Sequence, residues 1–353
     1  MPISKTSRTR YDFREPISTD EIESIAADPH TEVIQTSMPA KPETWSLLNQ
    51  ALFARRPDIE ARIYGCHGVP CDLGFTSLLT NVRRFAADAL HGRVTGAERI
   101  ACIPDLECLS VGVFQLESFG FLDQVSPGLR RLTLGATRSK KPTLTPLARF
   151  RGLQSLRLES QQKDLDVISG LMELEHVTLR SISTASLGCL RNLDGLRSLA
   201  IELGGIRDLS AIRGMIRIAS LELCQIRGLD DVGAAAELPG LQSLFLQSLP
   251  RVRALPELRM AHVLRRVVLV NMKGLRDLGP LEAAPALEEF ALVEGLGNEP
   301  QDLAPVLRNR TLRRIGAGLG SLRKNEEFDR MREAAGREPF DDATPLSFER
   351  ERG

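Results

Sequence analysis

Leu241-Gln-Ser-Leu-Phe-Leu246 sets the reading of this chain, with apolar residues at its first, fourth and sixth positions. The same frame returns as Leu153-Gln-Ser-Leu-Arg-Leu158, Leu174-Glu-His-Val-Thr-Leu179, Leu196-Arg-Ser-Leu-Ala-Ile201 and Ile218-Ala-Ser-Leu-Glu-Leu223. With the fourth position as marker, the series runs Phe85, Leu109, Leu132, Leu156, Val177, Leu199, Leu221, Leu244, Val267, Phe290, Ile315, in steps of 21 to 25 residues. In an extended chain the fourth and sixth side chains share one face, and the third, fifth and seventh share the other. Each copy is therefore a strand with one apolar side. Between copies the period changes. Leu165, Ile168 and Leu171 are three apart, as are Leu209, Ile212 and Met215, and Leu278 and Leu281. That spacing predicts short 3₁₀ or helical turns with one apolar edge.

No unit of this size buries its own leucines, but stacked units do. The period and its LxxLxL core resemble leucine-rich repeats. Ile206-Arg-Asp-Leu-Ser-Ala-Ile212 in particular resembles the short bacterial repeats of internalin-type and phosphatase-regulator-type proteins. The resemblance implies an α/β solenoid, a horseshoe of about 11–12 repeats. Its parallel β-sheet would be concave, its 3₁₀ or short helical returns convex, and its ends helical caps. The family places Asn at the ninth position, whose amide satisfies backbone groups of adjacent turns. Here that position holds Phe114, Thr137, Gln161, Ile182, Gly204, Ile226, Leu249, Met272 and Gly295, so apolar residues largely replace the polar ladder.

Three regions follow. Residues 1–57 precede the repeats, with capping-box spacing at Ser18-Thr-Asp-Glu21 and loop or extended chain from Pro29 to Pro42. Pro42-Glu-Thr-Trp45 then opens a helix with Trp45, Leu48 and Leu52 on one face, expected to cover the first repeat. Residues 58–320 form the solenoid. Residues 321–353 supply a charged capping helix to about Ala335, then a tail from Glu338 expected to be mobile.

Composition bounds the partners. Among 353 residues Lys plus Arg equals Asp plus Glu, 46 each, so no global field draws the chain to nucleic acid or acidic membranes. Aromatic residues make up only 5%, too few for a base-stacking platform. The doublets Arg83-Arg84, Arg130-Arg131, Arg265-Arg266 and Arg313-Arg314 alternate with Glu107, Glu175 and Glu288-Glu289, which also disfavours nucleic acid. The N-terminus lacks the apolar run of a secretory signal. No apolar stretch approaches the roughly 18 residues of a membrane span. The six cysteines then read as reduced thiols, and the expected location is cytoplasmic. Cys66, His67 and Cys71 make a three-ligand group, where zinc sites want four. No metal and no cofactor is expected.

The frame assigns side chains to the concave face. Phe245, Val268, Val270 and Val293 form an apolar cluster on a surface that solvent should make polar. Arg157, Glu159, His176, Arg180, Glu202 and Glu222 form a mixed-charge belt. These ten residues are the candidate partner-binding set. His176 lies between Ser155 and Ser198 in one row, but an open sheet lacks the sheltered pocket and oriented base that nucleophilic catalysis requires. The expectation is a non-catalytic scaffold that binds another protein, as a regulator or immunity-type inhibitor of an enzyme. Two alternatives remain: the substrate-recognition part of an enzyme or ligase system, and a sensor of a small polar ligand at the belt.

Overall fold

The computed structural model describes residues 3–66, 68–139 and 142–341. It divides into two compact units, Met1–Leu174 and Glu175–Gly353.

In the first unit, strands Arg10–Phe13, Val33–Thr36, Glu60–Tyr64, Arg84–Leu90, Cys108–Val113, Arg131–Leu134 and Ser155–Glu159 pair in parallel, each with its neighbour. Ile3–Lys5 closes the outer edge in antiparallel sense. The ladder thus begins well before Asp58. Val33-Ile34-Gln35-Thr36, inside the stretch expected to be loop or extended, pairs residue for residue with Glu60-Ala61-Arg62-Ile63. Its β-branched residues suit a buried strand, but it lacks the leucine frame that marks the later copies.

The N-terminal helices form as their signals predict. Helix α1, Thr19–Ala27, has Ser18 at its N-cap and a complete capping box with Glu21. Helix α2, Pro42–Leu48, continues into a π turn over Asn49–Phe53. Trp45, Leu48 and Leu52 are fully buried. The Trp45 ring stacks on Phe75 at 4.4 Å and meets Phe13 edge-on at 5.5 Å. Trp45 is therefore a core residue of this end.

In the second unit, strands His176–Arg180, Ser198–Glu202, Ser220–Cys224, Ser243–Gln247, Arg266–Val270, Glu289–Val293 and Arg314–Ala317 pair in parallel and in the register the frame predicts. Returns are short 3₁₀ turns such as Ser210–Ile212 and Gly279–Leu281. The last described repeat also carries helix α3, Ala304–Arg308. Helix α4, Leu322–Ala334, is capped by Ser321 and buries Phe328. Beyond it Glu338–Pro339, placed by the sequence in the mobile tail, pairs in parallel with Arg314–Ile315. The rest of that tail, residues 342–353, lies outside the described residues.

Ninth-position side chains Ile182, Ile226, Leu249 and Met272 are buried, so apolar packing fills the turn where an Asn ladder would run. The first unit keeps a polar remnant: the Gln161 amide donates to the Gly135 carbonyl and to Thr137 Oγ1.

Candidate functional site

Eight of the eleven framed strands carry a left-handed residue at or next to their end. Ala89, Ser160, Ser181, Leu203, Gln225, Ser248, Asn271 and Glu294 all have φ between 50° and 64°. Only Asn is at home in that region; for a side chain such as leucine it costs roughly 1–2 kcal/mol. The corner persists because it continues the ladder. The amides of Leu203, Gln225, Ser248 and Asn271 donate to the carbonyls of Cys224, Gln247, Val270 and Val293 at 2.8–2.9 Å. The conformation is enforced by stacking, and nothing in Leu203 or Gln225 announces it.

Third, fifth and seventh positions point away from the leucine core, as the frame predicts. In the second unit Phe245 pairs with Val268 and Val270 with Val293 on adjacent strands. The four residues of the apolar cluster thus come together. Phe245, Val268 and Val270 are half-buried and Val293 is 45% exposed, while Ala291 between them is buried.

The charged residues fall in both units. Arg157 and Glu159 lie on the last strand of the first unit, Ser155–Glu159. His176, Arg180, Glu202 and Glu222 lie on the first three strands of the second. Arg180 donates to Glu202 at 2.6 Å. His176 and Ser198 are register partners.

The third-position row departs from the expected open face. Ser220, Ser243, Arg266 and Glu289 are all buried. Glu289, only 1% exposed, lies between Arg266 on one neighbouring strand and Arg314 on the other, with ion pairs to both. Phe340, just after the added strand, sets its ring 4.9 Å from the Arg266 guanidinium. It also packs against the Gly316 backbone, where even a Cβ would crowd it. The face is closed at this end by its own C-terminal segment, which residue spacing could not show.

The first unit carries a polar network that the frame also missed. Arg62 donates to Asp88 and to Gln35, Gln35 donates to Asp12, and the Tyr64 hydroxyl donates to Asp12 at 2.9 Å. Asp12 and Gln35 lie before the first leucine-framed copy, so no register placed them there. These groups are mutually satisfied.

Two of the doublets are matched along the edge, Arg83 by Glu107 and Arg265 by Glu288, and the single Arg197 is matched likewise by Glu175. Cys66 and Cys71 are buried free thiols. Burial, with Cys66 nearby, pushes Cys71 up to about 12, so it stays protonated at neutral pH and is not poised to bind metal. His67 lies outside the described residues, among which no cluster of metal-ligating side chains occurs.

Neither protein-family models nor curated proteins match the sequence. Solved structures do. An internalin (inlF) from Listeria monocytogenes superposes with TM-score 0.60 at 19% identity, over 86% of this chain and 90% of its own. A chain of the TLR13–ssRNA13 complex gives 0.58 at 15% identity, covering 88% of this chain and 50% of that one. A chain of the mouse RP105/MD-1 complex gives 0.54 at 14%, covering 90% and 60%. This chain spans little more than half the length of those two. At such identities the likeness is one of fold, and the fold is the leucine-rich-repeat solenoid that internalins carry. Among the described residues no helix is long and apolar enough to cross a membrane.

Proposed function

We propose that the chain is a non-catalytic scaffold that binds another protein through the display face of its second unit, acting as a regulator or inhibitor of that partner. The observation that carries this reading is the apolar cluster of Phe245, Val268, Val270 and Val293, partly open to solvent on adjacent strands. A sheet face without a role in binding carries polar side chains there, and an apolar patch with a charged surround is the usual anatomy of an interface. Glu222 adjoins Phe245, Glu202 and Arg180 carry the charge over the next two strands, and these charges supply register rather than net affinity. Structures with this fold include the RP105/MD-1 and Toll–Spatzle complexes, which lends the reading support.

The test is capture from lysate of the source organism with wild type and with Phe245→Ala/Val268→Ser/Val293→Ser. A protein recovered by the wild type and lost by the folded variant supports the reading. Equal recovery by both removes the patch from the interface.

A further inference from the structure

Past its left-handed corners, the second unit gathers a set of cations at the C-terminal edge of its strands. Arg207, Arg227, Arg251, Arg253, Lys273 and Arg276 occupy the corner loops of four successive repeats, and all six are exposed. Among the described residues none of them makes a hydrogen bond or an ion pair, unlike Arg197, Arg213 and Arg265 in the same unit, which are matched by carboxylates.

Two shallow grooves run between these loops, with volumes of about 290 and 420 Å³. Arg227 lines both, with Lys273 in one and Arg207 and Arg251 in the other, and no carboxylate lines either. Three carboxylates of the same loops are turned to local tasks, and Asp230 stands exposed outside both grooves. Asp208, Asp231 and Asp277 each accept the amide two residues on at 2.7–2.8 Å, opening the 3₁₀ turns.

The cations are also held in place. Arg207 lies over Gly228, Arg253 over Gly274 and Arg276 over Gly297, each so close that a Cβ on the glycine would stand 2.8–3.0 Å from the arginine. The three glycines share one frame position, the eleventh, in three repeats, and each leaves a bed for the side chain of the preceding turn. Only Arg207 meets its glycine first through the stem; Arg253 and Arg276 meet theirs first through the guanidinium, and an arginine already laid against backbone loses less freedom on binding.

We propose that this edge docks an acidic, extended segment of a protein partner, its carboxylates on the six cations and its apolar side chains on the groove floor. This rests on the protein-binding reading above and names the chemistry of what is bound. Charge complementarity argues for an anionic occupant, and Arg forks match carboxylates bidentately. The grooves argue for a peptide rather than a nucleic acid. Their floors carry Leu203 and Pro250 beside the amides of Gln225 and Asn271, with no aromatic ring for a base to stack on. These groups suit backbone and apolar side chains.

The experiment uses the full chain and two fluorescein-labelled probes of equal charge, a glutamate-rich peptide with interspersed leucines and a single-stranded oligouridylate. Anisotropy is read for wild type, for Arg227→Ala/Lys273→Ala, for Gly228→Ala, where a Cβ would meet only the Arg207 side chain, and for a control that removes the same charge elsewhere, Arg217→Ala/Arg310→Ala. The expected result is peptide binding that weakens as salt rises, falls at least about tenfold in Arg227→Ala/Lys273→Ala, falls less in Gly228→Ala, and is kept by the control. An equal loss in the control, or no binding by wild type, overturns the proposal. Tighter binding of the oligouridylate overturns the choice of a peptide. Lysate capture that still depends on Phe245, Val268 and Val293 while the peptide fails to bind leaves the scaffold reading intact and sinks this one alone.

Discussion

Glu289 offers the sharpest test of how the second unit's face is built. Its carboxylate is 1% exposed and pairs with Arg266, whose side chain is 6% exposed, and with Arg314, 25% exposed. Glu289→Ala takes away the carboxylate that lies between two cations on the strands either side of it, one of them, Arg266, buried. Removing one partner of a buried pair costs about 3–5 kcal/mol, because the remaining charge has lost its counter-ion but not its burial. Arg314 is partly hydrated and the lower end of that range applies. Replacing the buried pair together, Arg266→Met/Glu289→Leu, removes the stranded charge and recovers most of the loss, since apolar substitutes of similar volume are commonly neutral or stabilising. Stability is read from urea unfolding followed by far-UV circular dichroism, with hydrogen exchange reporting strand Arg314–Ala317 separately. In a repeat array each turn leans mainly on its neighbours, so protection should be lost first at that end. A cost below about 1 kcal/mol for Glu289→Ala would place the carboxylate in a hydrated, surface-like setting. Phe340 and its strand would then not close this end of the face.

Two further outcomes can be checked. Trp45→Ala should cost about 3–5 kcal/mol in urea unfolding. Trp45→Phe should cost far less, because it keeps the stacking against Phe75 and removes an indole N–H that is buried with no partner among the described residues. Cys71, pushed up to about 12 by burial, keeps its proton in the fold at a pH where the unfolded chain's thiol, near 9, has ionised. Its contribution is therefore complete below about pH 9 and is lost as pH rises toward about 12, by at most about 1.4 kcal/mol per pH unit. Comparing wild type with Cys71→Ala at about pH 8 and about pH 10.5 should show wild type losing more stability; parallel losses would refute the assignment.

Much of the molecule was legible in its residues. The strands, their register and the inward leucines follow from hydrophobic period alone, because a repeat that cannot bury its own core fixes which side chains its neighbours must meet. The same register brought Phe245, Val268, Val270 and Val293 together. Where the frame was silent the reading stopped. Val33–Thr36 pairs as a strand without a leucine to mark it, and Asp12 reaches Tyr64 across fifty-two positions. Continuing the frame past its seventh position puts Arg207, Arg227, Arg251 and Lys273 between its tenth and twelfth positions, a signal the leucine count did not use.

The repeat, the parallel sheet and the faces of each strand can be read from the residues, since these depend on spacings of two and three along a local stretch. Only the tertiary structure decided the rest. The left-handed corners at Leu203 and Gln225 exist because the next strand's carbonyl receives their amides. The closed end of the face exists because Phe340 finds Arg266 and Gly316, seventy-four and twenty-four residues back. The cationic edge is open because Asp208, Asp231 and Asp277 are held by the turns they begin. Each is a relation between turns that touch only once stacked, and no local pattern encodes which partner a side chain will meet there.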